Sequence, residues 1–263
     1  MTTSEILETP APPAASQHLM SVTRIDFLES LLVTVLLALF GTTFIVQAFK
    51  IPSQSMEPTL MVGDYLLVNK FIFEGNGAWY EKFLPYRPIR RGDIVVFKFP
   101  FDDHPHYVKR VIGLPGDRLR IIRQQVYVNG TLLNEPYIIH DPNYSDAASD
   151  NFPPRQSYYL GVELRPEWAG EIGSHIQNGD LVVPPGHYFV MGDNRDRSSD
   201  SRYWGFVDRD AIMGRPVIIY WSVQATAEDY FDRSLGDSLR GLEQTATHLT
   251  TRTRWNRMMH EVH

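Results

Sequence analysis

A long apolar segment near the start of the chain gives way to short segments in which apolar and polar residues alternate. The apolar segment runs from Leu31 to Phe49 and contains no charged residue. In a helix that rises 1.5 Å per residue, about 20 residues span the roughly 30 Å hydrocarbon core of a bilayer. The sequence therefore predicts a transmembrane helix over 27–49, preceded by a flexible polar tail over 1–26.

Two other interpretations of the apolar segment remain open. A buried core helix is disfavoured because the segment has no polar face at helical spacing. A cleaved signal peptide would fit the small-residue pattern Val46-Gln47-Ala48 only loosely, and the apolar core exceeds the usual length of about 7–15 residues. A retained anchor is the favoured interpretation. Its orientation is not assigned by charge, because single basic residues, Arg24 and Lys50, flank it.

From 50 to 223 the hydrophobic pattern has the period of two that is typical of β-strands. Turn signals separate these segments, among them Asn129-Gly130 at the tip of a predicted hairpin. Strands are predicted at Asp64–Asn69, Asp93–Phe99, His106–Ile112, Arg118–Arg123, Gln125–Val128, Tyr188–Met191 and Pro216–Trp221. Many short strands without helices between them indicate a mainly β domain. A loop-rich insertion is expected at about 140–180, and a polar C-terminal tail with helical potential over 224–263.

Composition excludes several classes of function. The formal net charge of −6 over 263 residues argues against a general nucleic-acid binder, which needs a basic face. Cysteine is absent, which excludes disulfides, thiol nucleophiles and cysteine-ligated metal centres. The hydrophobic fraction of 43% is typical of a folded protein.

Two serines lie directly after the apolar segment, in a stretch bracketed by prolines. Ser53 and Ser55 stand between Pro52 and Pro58, which disfavour a helix there. A serine hydroxyl is a weak nucleophile until a base takes its proton. A catalytic interpretation of these serines therefore requires a base elsewhere in the chain.

Histidine and lysine are the two candidates for that base. The cluster around His104 and His106 could hold a metal or supply a catalytic histidine, although a polar turn between strands is the favoured interpretation. Lys109 lies within an apolar strand, where alternation places it on the same face as Tyr107 and Val111. Burial of this amine would lower its pKa and make it a usable general base.

A third segment, residues 191–205, is dense in short polar side chains and ends in aromatic residues. Its hydroxyl groups could orient a lysine amine. Its aspartates and arginines could form an internal ion pair, and bidentate geometry would make such a loop rigid.

Taken together, these segments resemble bacterial signal peptidase I, the leader peptidase family of membrane serine proteases with a serine–lysine dyad. The matching stretches are PSQSMEPTL (52–60), GDYLLVNK (63–70), RRGDIVVF (90–97), YVKRVIGLPGD (107–117) and MGDNRDRSSDSRYWGFV (191–207). The resemblance covers roughly 27–223. It implies a mainly β, coiled antiparallel-sheet catalytic domain after one N-terminal transmembrane helix.

The resemblance also implies roles for individual residues. Ser55 matches the nucleophile and Lys109 the general base. The hydroxyl of Ser53 and the backbone N–H of Ser55 match the oxyanion hole. The positions that match the shallow substrate pockets are Phe49, Ile51, Met56, Leu60, Tyr107 and Val108.

A second set of matching residues would support the lysine. Ser198 matches the hydroxyl that orients the lysine amine, and Asp200 and Arg202 match a supporting pair. Residues 193–196 match a structural loop without a direct catalytic role.

The implied activity is removal of signal peptides from exported preproteins, with cleavage after small residues at −3 and −1 and no metal or cofactor. The implied location is the inner (cytoplasmic) membrane, with the catalytic domain on the outer side. The implied partners are the lipid bilayer, which holds the helix, and nearby export machinery. Two alternatives remain open: a processing peptidase with a narrow substrate set, and a non-catalytic membrane-anchored domain that binds exported proteins. A self-cleaving repressor is disfavoured, because the chain has a membrane span and lacks a DNA-binding domain at its start.

Overall fold

One long helix precedes a part of the chain whose main regular secondary structure is β-strand. The computed structural model describes residues 15–41, 46–73, 86–99, 106–141, 151–154, 164–225 and 249–263. The chain divides into two compact units, 1–45 and 46–263.

The first unit contains helix α1, Ala15–Phe40. The described side chains from Asp26 to Leu39 are all exposed, and most of them are apolar. A search of the described residues finds no helix with the length and apolarity needed to cross a membrane.

The predicted boundaries of the first helix are wrong at both ends. Residues 15–26, expected in a flexible tail, belong to α1, and residues 46–49, expected at the end of the helix, belong to a strand. Residues 1–14 lie outside the described part of the chain. The error at 46–49 has a physical cause, because the apolar sequence that begins in α1 continues without a charged residue into the half-buried strand at 46–50.

All the strands found in the described residues lie in the second unit. In chain order they are β1 Val46–Lys50, β2 Asp64–Asn69, β3 Ile94–Lys98, β4 His106–Gly113, β5 Arg118–Ile122, β6 Gln125–Val128, β7 Thr131–Leu132, β8 Asn151–Phe152, β9 Ile176–Gln177, β10 Asp180–Val182, β11 His187–Met191, β12 Val207–Asp208, β13 Ile212–Ser222 and β14 His260–Glu261. The seven predicted strands are all present, within a few residues of their predicted ends. The predicted hairpin turns at Asn129-Gly130, where both residues have positive φ.

These strands form two antiparallel sheets. The larger sheet has the order β1-β2-β13-β3-β4-β11-β12, with β14 also paired to β13. The smaller sheet has the order β7-β6-β5-β10-β9, with β8 also paired to β5. The mainly β, antiparallel prediction is confirmed.

Short helices complete the described part of the second unit. They are α2 Pro166–Glu171, α3 Ser201–Trp204 and α4 Leu249–Arg252. Proline at the first turn of α2 suits a helix start, because its missing N–H has no partner there in any helix. The predicted insertion at 140–180 contains α2, β8 and β9, and it contributes the buried side chains of Phe152 and Trp168 to the smaller sheet.

Three clusters of buried apolar side chains form the core of the second unit. One lies on the smaller sheet and includes Ile121, Phe152 and Leu181. The other two lie on opposite faces of the larger sheet. Successive side chains of β3 point to opposite faces, so Val95 belongs to one cluster and Val96 to the other.

Candidate active site

The loop between β1 and β2 carries Ser55. This residue lies in a single 3₁₀ turn, Gln54–Met56. The backbone N–H of Ile51 donates to the carbonyl of Asp64, and the N–H of Gly63 donates to the carbonyl of Ile51, so the loop is closed at its base. The backbone N–H of Asn194 donates to the Ser55 carbonyl at 3.1 Å. The position of Ser55 is therefore set by hydrogen bonds from two separate parts of the chain.

Lys109 lies in the middle of β4, which is paired with β3 through Val95. Its side chain is buried, with 3% of its surface exposed, and its Nζ lies 2.6 Å from the Oγ of Ser55. The ring of Tyr107, on the same face of the strand, lies 5.6 Å from the amine. The structure thus brings the two predicted catalytic side chains within hydrogen-bond distance in a buried environment.

Burial lowers the pKa of the Lys109 amine from 10.5 to about 8. The charged form is disfavoured because the amine loses its hydration. The carboxylates of Asp200 and Asp193 partly oppose this effect, and the guanidinium of Arg202 adds to it. At pH 7 a pKa of about 8 leaves about a tenth of the amine neutral, whereas an ordinary lysine is almost entirely protonated.

Asp200 and Arg202 form a fully buried bidentate ion pair. The Nε and Nη2 atoms of Arg202 donate to the two carboxylate oxygens of Asp200 at 2.8 and 2.9 Å. The backbone N–H of Gly192 also donates to this carboxylate, at 3.0 Å. Burial alone would raise the pKa of Asp200, but the Arg202 charge and these hydrogen bonds lower it overall. The pair therefore keeps its charges in the interior and holds the 192–202 loop rigid.

Ser198 is buried close to both Ser55 and Gly192. A Cβ added to Gly192 would lie 2.3 Å from the Ser198 Oγ and 2.4 Å from the Ser55 carbonyl oxygen. The Ser198 hydroxyl faces the carboxylate of Asp200 and contributes to the lowered pKa of that group. The expected hydrogen bond from Ser198 to the Lys109 amine stays a prediction.

Arg110 continues β4 on the opposite face from Lys109. Its guanidinium donates to both carboxylate oxygens of Asp193, at 2.8 and 2.7 Å, and stacks 3.9 Å from the ring centre of Tyr137. Asp193 also accepts a hydrogen bond from the Thr59 hydroxyl at 2.5 Å. This network connects β4, the 192–202 loop and the loop that carries the nucleophile candidate.

Ser53 lies in extended backbone just before the 3₁₀ turn, and its side chain is exposed. Its Oγ is 3.3 Å from the Oγ of Ser55. The hydroxyl is therefore close to the position where a carbonyl attacked by Ser55 would develop negative charge.

Five of the six predicted pocket residues share one apolar cluster next to Ser55. Ile51, Met56 and Leu60 are fully buried there, and Phe49 and Val108 pack against them while partly exposed. The sixth, Tyr107, lies on the face of β4 that carries Lys109, with its ring 5.6 Å from that amine and packed against Phe97 and Phe99. Neighbouring residues of a strand point to opposite faces, which is why Tyr107 and Val108 pack against different apolar clusters.

The candidate histidine cluster is only partly described, because residues 100–105 lie outside the described part of the chain. His106 begins β4, and its ring packs edge-on against Phe49 with 5.2 Å between centroids. Burial, together with the nearby charge of Lys98, lowers the pKa of His106. The described residues contain no group of three or more side chains that could hold a metal ion.

Sequence reasoning assigned no role to Gly192 or Thr59 and placed Asn194 only in a structural loop. Gly192 and Asn194 both contact the Ser55 carbonyl, and Thr59 lies in the Ser55 loop itself. Gly192 has a detectable signal, since a glycine directly before Asp193 in a polar motif indicates a close approach of backbone. The contact from the Asn194 N–H has no sequence signal, because every residue except proline carries that donor.

A serine hydroxyl beside a buried amine of lowered pKa, on a sheet scaffold, is the arrangement expected of a serine hydrolase whose base is lysine. Comparisons with known proteins agree with this class. The family model described as "Signal peptidase, peptidase S26" matches residues 24–221.

The chain is also similar to proteins named "Signal peptidase I". The one from Pseudomonas aeruginosa is 35% identical over 219 residues, covering 75% of this chain and 72% of the relative. The one from Pseudomonas fluorescens is 34% identical over 220 residues, with the same coverage. A signal peptidase I crystal structure from Enterococcus faecalis is 30% identical, with a TM-score of 0.32, and covers 49% of this chain and 97% of that one.

The chain belongs to the signal peptidase family, peptidase S26. It is a serine peptidase of the signal peptidase I type, whose substrates are preproteins that bear signal peptides.

Proposed function

We propose that this protein is a membrane-anchored endopeptidase that removes signal peptides by serine–lysine dyad catalysis, with Ser55 as nucleophile and Lys109 as general base. The observation that carries the proposal is the 2.6 Å separation between the Lys109 Nζ and the Ser55 Oγ, with the amine buried. A general base must lie within hydrogen-bond reach of the proton that it removes, and the Lys109 amine does.

The first step is acylation. The neutral amine of Lys109 accepts the hydroxyl proton of Ser55 while the Oγ attacks the carbonyl carbon of the scissile peptide bond. The resulting ammonium then donates its proton to the leaving amine, which departs as the new N-terminus of the mature protein. A lysine in water would be protonated at neutral pH and could not begin this sequence, so burial of the side chain is part of the mechanism.

The second step is deacylation. A water molecule gives its proton to Lys109 and attacks the acyl-enzyme, and the Ser55 oxygen leaves with that proton. In both steps negative charge develops on the carbonyl oxygen of the substrate. We assign the backbone N–H of Ser55 and the hydroxyl of Ser53 as the donors to this oxygen. The proximity of the Ser53 Oγ to the nucleophile oxygen, 3.3 Å, supports the second assignment.

The pocket residues support cleavage after small side chains. Ile51, Met56 and Leu60 are closely packed and leave little of their surface open, while Phe49 and Val108 present partly exposed apolar surface beside Ser55. A close-packed apolar wall accepts an alanine-sized side chain and excludes a large one, because overpacking is destabilising. We assign the −1 and −3 positions of the substrate to this surface.

An extended substrate fits the sheet beside the dyad. β11 pairs with β4 from Arg110 to Gly113, so a substrate strand that continues the line of β11 would run past Lys109 and Val108. Main-chain hydrogen bonds to such an edge bind any sequence, and the pockets then select the side chains.

The exposed apolar surface of α1 supports the membrane location. Phe27, Leu28 and Leu37 each expose more than three fifths of their surface. Exposed apolar patches of this kind mark contacts with lipid or with another protein. We propose that this segment anchors the chain in the inner (cytoplasmic) membrane, with the catalytic unit on the outer side and close to the export machinery.

Cleavage of a purified preprotein tests the function. The full chain in lipid vesicles is incubated with a preprotein that has alanine at −3 and −1, and the product is sequenced from its N-terminus. We expect one cut directly after the −1 alanine, and a matched preprotein with a bulky −1 residue should stay intact. Binding without cleavage would contradict the peptidase assignment and favour the binding-domain alternative. Cleavage of one preprotein among many would favour a dedicated processing peptidase.

A further inference from the structure

The last described segment, residues 249–263, packs on the larger sheet. The sequence predicted a polar tail with helical potential here. Residues 249–252 form helix α4, and beyond it β14 pairs with β13 opposite Ile218 and Ile219, where the N–H of Val262 donates to the carbonyl of Val217 at 3.0 Å. We call residues 249–263 the C-terminal segment.

Arg257 connects the C-terminal segment to the loop that carries Ser55. Its Nη2 donates to Asp64 Oδ2 at 2.5 Å and to the Thr59 carbonyl at 2.9 Å, and its Nε donates to Asp64 Oδ1 at 3.2 Å. Thr59 lies four residues beyond Ser55, and Asp64 ends the same loop at the start of β2. One guanidinium therefore contacts two points on the C-terminal side of the nucleophile.

Asp64 is fully buried, and its carboxylate organises the end of the loop. It accepts hydrogen bonds from the Met61 N–H at 2.8 Å and from the Ser222 hydroxyl at 2.6 Å. A buried carboxylate without a cation would be strongly unfavourable. Arg257 supplies the close cation, and Arg254 is a more distant one at 3.8 Å.

Val262 connects the C-terminal segment to the substrate pocket. It is buried in the same apolar cluster as Met56 and Leu60, the residues that follow Ser55 in the loop. The N–H of Leu60 donates to the carbonyl of Met56 at 2.9 Å, which ties the two pocket residues together. The segment thus contacts the loop through the Arg257 ion pair, through a hydrogen bond from Arg254 Nη1 to the Val62 carbonyl at 3.0 Å, and through apolar packing.

We infer that the C-terminal segment positions the Ser55 loop, and that Arg257 is a positioning residue for the peptidase reaction. The inference rests on the proposed function of Ser55. Arg257 touches neither the nucleophile nor Lys109 in the described contacts, so it acts through Thr59 and Asp64. Loss of its guanidinium removes the hydrogen bonds to Thr59 and Asp64 and loosens that end of the loop, and the Ser55 oxygen then moves relative to the amine.

The test compares Arg257→Leu with Arg252→Leu in the full chain. Arg252 lies in the same segment, is exposed, and makes no described side-chain contact with the loop. kcat and KM are measured on a signal-peptide substrate, per mole of folded enzyme, well below the unfolding temperatures of all variants. We expect Arg257→Leu to lower kcat/KM about 100-fold, mostly through kcat, because a misplacement of about 1 Å has this effect. Arg252→Leu should match the parent.

The conservative variant distinguishes positioning from simple stabilisation. Arg257→Lys keeps one cation near Asp64 but cannot reach both carboxylate oxygens and the Thr59 carbonyl, so we expect about a tenfold loss, a partial rescue. A parent-like kcat/KM in folded Arg257→Leu, with only the unfolding temperature lowered, would overturn the inference. Should Arg257→Leu not fold, an unchanged kcat/KM in Arg257→Lys would overturn it. An inactive parent enzyme would instead overturn the proposed function.

Discussion

Replacing Ser55 by alanine is expected to abolish cleavage of preproteins, with a loss in kcat on the order of 10⁶-fold. The hydroxyl is the atom that forms the acyl-enzyme, and the described residues place no second serine hydroxyl as close to the Lys109 amine. Without it, the oxyanion hole and the pocket can contribute only transition-state binding. The rate is measured as appearance of mature protein under single-turnover conditions.

A matched serine variant controls for general effects of substitution. Ser174 is exposed, and its hydroxyl donates to the Glu171 carbonyl far along the chain from the dyad. Ser174→Ala should process preprotein like the parent enzyme. If Ser55→Ala kept even a hundredth of the parent rate, another residue would have to be the nucleophile.

Replacing Lys109 by methionine is expected to lower the rate by about 10⁴-fold or more, because Ser55 loses its general base. Methionine retains an unbranched apolar chain of similar length, so the packing around β4 is largely kept. Lys98→Met is the matched control, since Lys98 is exposed on the neighbouring strand β3. Near-parental turnover by Lys109→Met would remove the lysine from the mechanism.

The Lys109→Met variant should fold at least as stably as the parent. The buried amine has a pKa of about 8 in the folded protein and 10.5 in its ordinary state. Its charged form is therefore disfavoured by about 3 kcal/mol at pH 7. This unfavourable contribution is absent above the unfolded pKa and fully present once the pH falls below the folded pKa. Thermal unfolding of Lys109→Met at pH 7 checks that lost activity is not lost folding.

Much of the fold could be predicted from alternation along the chain. β2 and β6 have the predicted limits, because each is a run of β-branched and aromatic residues bounded by turn residues. The limits of α1 could not be predicted, because hydropathy does not distinguish the end of an apolar helix from the half-buried strand at Val46–Lys50. Only the pairing of that strand with β2 reveals it, and pairing is a long-range property.

The candidate site was partly predictable for a similar reason. Ser55 and Lys109 are 54 positions apart, and the order of the sequence motifs is enough to indicate both as the catalytic pair. Tyr107 and Val108 are neighbours in β4, so their side chains lie on opposite faces of the strand, although the motif resemblance assigned both to the pocket. The contact of Arg257 with Asp64 spans 193 positions and carries no local signal, since either residue alone reads as a solvated surface charge.

The most direct test of the central claim is a titration of the Lys109 amine in the parent enzyme. Lysine side chains are labelled with ¹³C at Cε, the Lys109 resonance is identified by its absence in Lys109→Met, and its shift is followed with pH. We predict a midpoint at about pH 8, and a kcat/KM that rises through the same midpoint and then levels off, because only the neutral amine is the base. A Lys109 midpoint near 10.5, with kcat/KM already level at neutral pH, would contradict the account.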